Sequence, residues 1–338
     1  MSYAQLLNQV INRQDLSHES MLALMQQVMS GALTPAQISA MLVALRMKGE
    51  TVDEISAAAS VMRELSGKVH IADSSHLIDT CGTGGDGIHT FNVSTASAFV
   101  AAAAGAKVAK HGGRSVSSAC GSADVLEALG VNVQQTAAQV AHCVAQIGLG
   151  FMFAPNHHSA MKHAAPVRRE LGVRTLFNLL GPLTNPADAK RQLMGVFSAN
   201  LTAKLARVLQ QLGSEHVMVV CGADGMDEIS FAGDTFVAEL KNGQIEEYIL
   251  NPQQFGLSLH DIASIKVHDV DSSKAMLLGV LTGKPGAARD IVLLNAGAAI
   301  YVSGLVPSLE QGIVMAATML DSGQALRKLE QLIAMTNA

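Results

Sequence analysis

The segment HLIDTCGTGGDG, residues 76–87, decides the fold that we expect for this chain. It opens with a short apolar run typical of a buried strand and ends in a glycine-rich loop. The glycines of this loop are Gly82, Gly84, Gly85 and Gly87. The sequence NVST, residues 92–95, then opens an alanine-rich helix. The segment therefore predicts one strand, loop and helix unit of an α/β domain.

A strand followed by a polar loop recurs twice along the chain. The strand-like KVAKHG (107–112) precedes the loop SVSSACGS (115–122) and the helical ADVLEALG (123–130). The buried-type strand HVMVVCG (216–222) leads into the loop GADGMDEIS (222–230). Strands that alternate with helices indicate an α/β domain with a mainly parallel central sheet, and ligands of such sheets bind at the carboxyl ends of the strands. We therefore expect the three loops to converge on one site.

Residues 1–67 predict a small all-helical amino-terminal domain. Helix starts are marked by Ser17, by Thr34–Pro35 and by Thr51, with Glu54 completing a capping box. The larger α/β domain is expected to span 76–338. A helical segment at about 165–186, APVRRELGVRTLFNLLGPLTNP, interrupts it. This segment could return to the helical domain and complete it, which would leave a cleft between the two units as a natural binding site.

Composition and charge narrow the class of protein. Hydrophobic residues make up 49% of the chain and charged residues 15%, and the net charge of −5 argues against a dedicated nucleic-acid binder. The amino terminus lacks the order of a secretory signal, and the apolar run Ala96–Ala109 is too short for a bilayer span. Four cysteines without CxxC or zinc spacing suit a reducing compartment. We expect a cytoplasmic enzyme that binds neither membrane nor nucleic acid.

The glycine-rich loop is suited to binding a phosphate. Glycine removes the Cβ atom, so backbone N–H groups can approach an anion closely, and the adjoining NVST sequence places a helix amino terminus beside them. The loop matches neither GxxxxGK(S/T) nor a well-formed GxGxxG, which disfavours a P-loop kinase and a dinucleotide fold. A merely structural glycine turn is the alternative, and the neighbouring NVST argues against it.

The loop KHGGRSVSS, residues 110–118, is the second candidate for phosphate binding. It combines two cations, an imidazole, two glycines and three hydroxyls. Lysine supplies a point charge for phosphate and arginine a planar fork. A solvated basic turn is the alternative, and it explains the crowding of glycine and serine poorly.

The adjacent carboxylates Asp227 and Glu228 predict a divalent cation. Two carboxylates facing a phosphate site would repel it unless a cation lay between them. Mg²⁺ suits this role because it binds through one or two carboxylates together with substrate phosphates.

Arg168 is a candidate for holding a substrate carboxylate at the domain cleft. The nearby His157, His158 and His163 lack the spacing and the partners of a transition-metal site. No nucleophile and base motif stands out, so the sequence indicates positioning and electrostatic catalysis without a covalent catalytic residue.

Together these motifs resemble the anthranilate phosphoribosyltransferases of tryptophan biosynthesis over nearly the whole chain. The resemblance lies in DTCGTGGDG, FNVST, KHGGRSVSS, GSADVLEALG, RELGVRTLFNLLGPLTNP and GADGMDEIS. It implies transfer of phosphoribosyl from phosphoribosyl pyrophosphate (PRPP) to the amine of anthranilate, with release of pyrophosphate. It also implies two Mg²⁺ per active site and a homodimer joined through the helical domain.

The resemblance assigns residues to each ligand by position. PRPP would be held by Gly82, Gly85, Asp86, Thr90, Asn92, Val93, Ser94, Thr95, Lys110, His111, Gly112, Gly113, Arg114, Ser115, Val116, Ser117, Ser118 and Ser122. Anthranilate would contact Gly82, His111, Gly113, His158, Arg168 and Gly181. Mg²⁺ would be held by Ser94, Asp227 and Glu228.

Two positions depart from the family pattern. Gly113 stands where the family commonly has the asparagine of KHGNR, and Ala119 stands where it often has lysine or arginine. Loss of the asparagine amide removes a hydrogen bond to anthranilate worth roughly 1 kcal/mol. We expect weaker or differently placed anthranilate, with the reaction retained.

Two other interpretations stay open. A pyrimidine nucleoside phosphorylase shares the implied fold, but it typically carries SGRGLGHTGGT in place of the KHG loop. A non-catalytic nucleic-acid-binding relative should have a basic face and should lack intact phosphate loops. This chain is acidic and keeps both the glycine-rich loop and the Asp227–Glu228 pair.

Overall fold

The computed structural model describes residues 1–114 and 120–338. Four of the predicted PRPP residues, and the departure from the family pattern at Ala119, lie outside the described residues. The four are Ser115, Val116, Ser117 and Ser118.

Four helices form the amino-terminal unit. They are α1 (Tyr3–Ile11), α2 (His18–Ser30), α3 (Pro35–Lys48) and α4 (Val52–Glu64). The side chains of Ser17, Thr34 and Thr51 cap the last three of these, and Glu54 completes the capping box of α4. The predicted all-helical amino-terminal domain is confirmed.

A seven-stranded sheet forms the centre of the larger unit, with the strand order β3-β2-β1-β4-β5-β6-β7. Its strands are β1 (Leu77–Gly82), β2 (Lys107–Gly112), β3 (Leu149–Phe153), β4 (Arg191–Gly195), β5 (His216–Gly222), β6 (Thr235–Lys241) and β7 (Gln244–Leu250). The first five in chain order run parallel, and β6 and β7 add an antiparallel hairpin at one edge. The predicted α/β class with a mainly parallel central sheet is confirmed.

The remaining helices flank this sheet or return to the helical unit. They are α5 (Val93–Ala103), α6 (Ser122–Ala128), α7 (Ala137–Ile147), α8 (Ala154–His157), α9 (Ala165–Leu171), α10 (Phe177–Leu180), α11 (Thr202–Gln211), α12 (Val270–Leu281), α13 (Ala287–Val302), α14 (Leu309–Asp321) and α15 (Gln324–Thr336). Nearly every residue of α5 is buried, because α13 and α15 pack on it from one side and the sheet lies on the other. An alanine-rich sequence suits a helix enclosed in this way.

Three hydrophobic clusters of described residues cover the two faces of the sheet, the smallest of them over β1, β2 and β3 beside α7. Alternate residues of β5 supply opposite faces: Met218 belongs to the cluster with α5 and α12–α15, and Val219 to the cluster with α11 and the amino-terminal helices. The second cluster runs without a break from α2 and α3 through α11 to the sheet. The helical unit is therefore packed firmly on one face of the α/β unit.

The helical segment at 165–186 packs against the amino-terminal helices. Helix α9 contacts α3, and α10 contacts α4. Val167, Leu176 and Leu180 are buried in the same cluster as the amino-terminal helices. The segment thus places its polar residues, Arg168 and Arg174 among them, between the two units.

The apolar run Ala96–Ala109 divides into two elements, the body of the buried helix α5 and the start of strand β2. Across residues 1–114 and 120–338, we find no helix with the length and hydropathy needed to cross a membrane. All four cysteines are free thiols, and all but Cys81 are buried.

Candidate active site

The carboxyl ends of four parallel strands meet at one edge of the sheet. Gly82 at the end of β1 pairs with Gly195 at the end of β4, and Gly195 pairs with Val220 of β5. Strand β2 ends beside β1 at Gly112. The three polar loops that the sequence singles out follow β1, β2 and β5, so the topology brings them to this edge.

The glycine-rich loop has a conformation that requires its glycines. Gly84, Gly85 and Gly87 have φ values of 65°, 74° and 78°, in the left-handed region that other residues rarely adopt. Within the described ranges the N–H groups of Gly85, Asp86 and Gly87 have no hydrogen-bond acceptor. These successive unpaired donors form the kind of backbone concavity that binds an anion.

The loop is fixed from both sides. The N–H of Gly84 donates to Oδ2 of Asp227 at 2.7 Å. The N–H of Thr83 donates to the carbonyl of Gly195 at 2.9 Å. On the opposite side, Nη2 of Arg174 donates to the carbonyl of Gly85. The predicted Asp227 is thereby in direct contact with the predicted phosphate loop.

Two glycines allow the acidic loop after β5 to lie this close. A Cβ at Gly82 would lie 2.3 Å from Oδ2 of Asp227, and a Cβ at Gly195 would lie 1.5 Å from the Asp227 carbonyl oxygen. Neither position leaves space for a side chain. Gly195 was missed by the sequence analysis because β4 was not identified; the apolar run at 192–197 was the available signal.

The carboxylates of Asp227 and Glu228 share one crowded, half-buried region with the amino terminus of α5. Oε1 of Glu228 accepts from the N–H of Ser94 at 3.1 Å. Burial, and next the carboxylate of Asp86, raises the pKa of Asp227 to about 7. Burial and the charge of Asp227 raise the pKa of Glu228 well above its usual value. Negative charge at this edge is therefore poorly compensated by the protein alone.

These residues fit Mg²⁺. Two carboxylates and the Ser94 hydroxyl are hard oxygen donors, which Mg²⁺ prefers, and a cation would remove the unfavourable charge on both acids. In the part of the chain that the structure describes, no three His, Cys, Asp or Glu side chains are close enough to hold an ion by themselves.

Lys110 lies at the end of β2 and is buried, with 3% of its surface exposed. Its Nζ donates to the carbonyl of Thr80 and, at 3.1 Å, to Oγ of Ser94. Its charge lowers the pKa of the neighbouring acids, although burial outweighs it at Asp79 and keeps that pKa raised. The carboxylate of Asp79 accepts from the N–H of His111 at 3.2 Å, a role that the sequence analysis missed.

The predicted residues at the start of α5 divide into two groups. The side chains of Val93 and Thr95 are each 1% exposed, so they face the core and can offer a ligand only their backbone. Oδ1 of Asn92 accepts from Oγ of Ser273 at 2.7 Å, and its amide donates to the carbonyl of Cys120 at 3.1 Å. Asn92 therefore ties the start of α5 to α12.

Thr90 lies in the stretch between the glycine-rich loop and α5, where its backbone pairs with Lys266 in an isolated bridge. Asp86 caps the turn within the glycine-rich loop, since its Oδ1 accepts from the N–H of Ile88 at 3.1 Å.

The second loop turns its arginine toward α6. Arg114 donates to Oδ1 of Asp124 at 3.1 Å and to Oε1 of Glu127 at 2.8 Å. A Cβ at Gly112 would lie 2.2 Å from Oγ of Ser122, so these two predicted residues are in close contact. In this arrangement the Arg114 guanidinium is paired with acids, and phosphate binding would require it to turn.

The predicted acceptor residues include a buried pair of histidines. The rings of His111 and His158 lie 5.0 Å apart between centroids. Burial and the neighbouring His157 lower the pKa of His158 to about 4, and burial lowers the pKa of His111 well below its usual value. Nε2 of both rings lacks a hydrogen-bond partner among the described residues. Two neutral rings with unused nitrogen atoms are suited to contacting an aromatic amine.

Arg168 and Gly181 lie on the helical segment. The Arg168 guanidinium is half-buried, with Cζ 5.4 Å from the centroid of the Phe177 ring. Burial lowers its pKa. Gly181 begins the turn after α10, where its carbonyl accepts from Thr184. The structure thus brings His111 and His158 together, while no hydrogen bond joins Arg168 to either of them within the described residues.

Gly113 has free space around it. A Cβ at this position would have the Cβ of Ala154 as its nearest neighbour, at 4.0 Å. Among the described residues, the backbone at this position therefore leaves room for a Cβ atom, as the asparagine of the family pattern requires. The carbonyl of Gly113 accepts from the N–H of Ala123 at 3.1 Å, which fixes the backbone at this point.

The fold and the site together define a glycosyl transferase with a helical bundle and an α/β domain. Residues 4–66 match the glycosyl transferase family, helical bundle domain, and residues 74–326 match the glycosyl transferase family, a/b domain. The anthranilate phosphoribosyltransferase of Methylobacillus flagellatus is 65% identical over 98% of this chain and 97% of that protein. The chain belongs to the anthranilate phosphoribosyltransferase family.

Solved structures of this family share the fold. The anthranilate phosphoribosyltransferase of Thermus thermophilus superposes with a TM-score of 0.93 at 41% identity, covering 98% of this chain and 99% of the other. The enzyme of Saccharomyces cerevisiae in complex with PRPP and Mg superposes with a TM-score of 0.84 at 29% identity, covering 95% and 92%.

Proposed function

We propose that this chain transfers the phosphoribosyl group from PRPP to the amine of anthranilate in tryptophan biosynthesis. The products are N-(5-phosphoribosyl)anthranilate and pyrophosphate. One observation carries the proposal: the N–H groups of residues 85–87, which have no acceptor among the described residues, lie at the same sheet edge as the poorly compensated carboxylates of Asp227 and Glu228. Donors for phosphate beside acids for a divalent cation are what a metal-bound pyrophosphate requires.

The pyrophosphate of PRPP is placed in the glycine-rich loop. The donors of Gly85, Asp86 and Gly87 face it, and the amino terminus of α5 adds a favourable dipole. Lys110 and Ser94 lie at the base of this site, where Nζ of Lys110 donates a hydrogen bond to Oγ of Ser94. Arg114, once released from Asp124 and Glu127, would contact the phosphoribosyl group from the side of β2.

We propose two Mg²⁺ per active site, held by Ser94, Asp227, Glu228 and the substrate phosphates. Besides burial, the carboxylate of Asp86 raises the pKa of Asp227, and the carboxylates of Asp227 and Asp86 raise the pKa of Glu228, which supports more than one divalent charge at this loop. When bound, the ions supply neutralisation of charge on the departing pyrophosphate.

The acceptor is placed between the histidine pair and the helical segment. Arg168 binds the anthranilate carboxylate, Gly113 and Gly181 leave space for the aromatic ring, and Gly82 contacts the ring through its backbone. Neutral His111 and His158 add no charge that would repel the developing positive charge on the ribose. The enzyme then acts by positioning and by electrostatic stabilisation of the leaving group.

In the reaction the amine nitrogen of anthranilate forms a bond to C1′ of the ribose as the bond from C1′ to the pyrophosphate oxygen breaks. The electron pair of that bond leaves with pyrophosphate, and the amine gives up one proton, which solvent water accepts. Attack from the face opposite pyrophosphate inverts C1′. Isolation of an α-configured product would contradict this part of the proposal.

Assembly and location belong to the same proposal. We place a helical domain at 1–67, completed by about 165–186, beside an α/β domain at 76–338 in a cytoplasmic homodimer joined through the helical domains. Exposed apolar side chains on the helical unit, Ile11 at 59% and Met47 at 73%, support a covered surface there. Light scattering of the purified chain should give twice the mass of 35.3 kDa; a monomer would contradict the dimer.

The function is tested by the loss of anthranilate fluorescence in the presence of PRPP and Mg²⁺. The wild type should consume anthranilate only when both are added. The double variant Asp227→Ala with Glu228→Ala should be slower by at least about a hundred-fold, on the order of the effect of removing a catalytic electrostatic contact. No signal from the wild type would overturn the assignment.

A further inference from the structure

Arg174 connects three parts of the molecule and has no part in the function proposed above. It lies between α9 and α10 with its side chain exposed. Its Nη2 donates to the carbonyl of Gly85, and its Cζ lies 4.0 Å from the centroid of the Phe197 ring. Its own carbonyl accepts from Nη1 of Arg46, at the end of α3. Arg174 thus joins the helical unit, the glycine-rich loop and the segment after β4.

The bond to Gly85 fixes the direction of a phosphate-binding donor. In a trans peptide the C=O and N–H groups point to opposite sides. With its carbonyl directed at Arg174, the peptide between Gly85 and Asp86 must direct the N–H of Asp86 away from Arg174. This N–H is one of the loop donors that have no acceptor among the described residues.

The loop has few other restraints. A Cβ at Gly84 or at Gly87 would have no heavy atom within 4 Å among the described residues, and both positions have the backbone freedom of glycine. Gly85 is different, because a Cβ there would lie 3.5 Å from Nε of Arg174. The Arg174 guanidinium therefore contacts the loop directly at Gly85. Stacking on Phe197 holds the guanidinium plane itself in place.

We propose that Arg174 is a positioning residue that holds the glycine-rich loop in the conformation able to bind the pyrophosphate of PRPP. Through Arg46 it makes that conformation depend on the docked position of the helical unit. The proposal rests on the proposed function for the identity of the ligand. Its structural part, the ordering of the loop, is independent of any reaction.

Amide hydrogen exchange of the protein without substrates tests the structural part. The amides of Gly84 and Ile88 are hydrogen bonded only while the loop is ordered. In Arg174→Ala they should exchange roughly ten-fold faster, the factor expected for one charge-assisted hydrogen bond at an exposed site. Arg169→Ala, an exposed arginine on α9, is the matched control and should leave them unchanged. Equal exchange in both variants would overturn the proposal.

Steady-state kinetics test the functional part. Arg174→Ala should raise the KM for PRPP roughly ten-fold while the KM for anthranilate changes less than about two-fold. Arg174→Lys keeps the charge without the planar fork and should recover only part of the loss. Phe197→Leu, which removes the aromatic ring beneath the guanidinium, should also raise the KM for PRPP, and so should Arg46→Ala. A rise in the KM for anthranilate alone would overturn the positioning role.

Calorimetry of inorganic pyrophosphate binding in the presence of Mg²⁺ distinguishes a failure of the proposed function from a failure of the positioning role of Arg174. If the wild type binds pyrophosphate but transfers nothing to anthranilate, the proposed function fails while the exchange data still decide the role of Arg174. If Arg174→Ala weakens pyrophosphate binding with no change in exchange, Arg174 contacts the ligand directly and the positioning proposal is wrong.

Discussion

The absence of a Cβ at Gly195 allows the acidic loop after β5 to pack against the end of β4. Replacing it with alanine places a Cβ at 1.5 Å from the carbonyl oxygen of Asp227, so the loop must move. We expect Gly195→Ala to lower stability by about 1–3 kcal/mol, as overpacking does, and to reduce turnover at least about ten-fold. Thermal unfolding and the fluorescence assay measure the two effects.

Gly233 offers a control for this substitution. A Cβ there has no heavy atom within 4 Å among the described residues, and its φ is not in the left-handed region. Gly233→Ala should therefore leave both stability and turnover close to wild type. Similar losses in Gly195→Ala and Gly233→Ala would mean that the contact with Asp227 does not matter.

Gly113 tests the acceptor side of the site. A Cβ added at Gly113 meets no heavy atom closer than 4.0 Å among the described residues. Gly113→Asn should lower the KM for anthranilate about five-fold, the equivalent of one neutral hydrogen bond, while the KM for PRPP stays constant. An unchanged or higher KM for anthranilate would show that the missing amide is not what distinguishes this chain from the family pattern.

Residue roles that depend on local chemistry could be predicted, and those that depend on distant neighbours could not. Glycine content and an acidic pair were sufficient to select Gly85 and Asp227. Asp79, Gly195 and Arg174 escaped prediction because their partners are remote in sequence. Arg174 lies 89 residues from the carbonyl that it binds, so no local pattern marks it.

The acidic loop after β5 should make stability and Mg²⁺ binding depend on pH. Because the pKa of Asp227 is raised to about 7 in the folded chain, its contribution to stability is complete below the unfolded value near 4 and is lost as pH rises through about 7. Mg²⁺ should offset that loss, so it should raise Tm more at about pH 8 than at about pH 5.5. A thermal shift titration measures this difference.

The double variant Asp227→Asn with Glu228→Gln keeps the shape of the acidic loop without its charge. The dependence of the Mg²⁺ effect on pH should vanish in it. An equal Mg²⁺ effect at both pH values in the wild type would contradict the assigned metal site.

A polar cluster near the start of β5, away from the carboxyl ends of the parallel strands, holds the β6–β7 hairpin on α13. Burial opposes ionisation of Glu239, but hydrogen bonds from His216, Tyr248 and Tyr301 outweigh it and lower its pKa to about 2. The stability from this cluster is therefore present above the unfolded pKa near 4.5 and is lost as pH falls toward about 2.

Glu239→Gln should lower the stability at about pH 7 by about 1–3 kcal/mol, with a smaller difference from wild type at about pH 3. Chemical denaturation at the two pH values measures it, and both KM values should stay constant because the cluster is remote from the site. A difference from wild type that does not shrink at low pH would contradict the role of the charged carboxylate.

Strands buried on both faces were easier to predict than exposed strands at the edge of the sheet. β5 is buried along its whole length, and its unbroken apolar run indicated a strand. The β6–β7 hairpin was missed, although Asn242 and Gly243 form a turn with φ values of 53° and 74°, a standard hairpin signal. β7 is largely exposed, so its sequence, QIEEYIL, lacks the apolar character that a buried strand needs.

On the scale of the whole molecule, the class of fold followed from the alternation of strands and helices, but the order of strands did not. β4 pairs with β1, although two strands and a long helical segment separate them in the chain. That arrangement depends on the continuous core that joins the helical unit to α11 and the sheet. Long-range packing of this kind has no local pattern by which it could be predicted.

The central claim is that the edge formed by β1, β2, β4 and β5 transfers phosphoribosyl from PRPP to anthranilate. Product stoichiometry tests it most directly, by mass spectrometry and a pyrophosphate assay on one reaction with purified protein. We expect one N-(5-phosphoribosyl)anthranilate and one pyrophosphate for each anthranilate consumed, with both products abolished by EDTA. Pyrophosphate release without the anthranilate adduct, or adduct formation unaffected by EDTA, would contradict it.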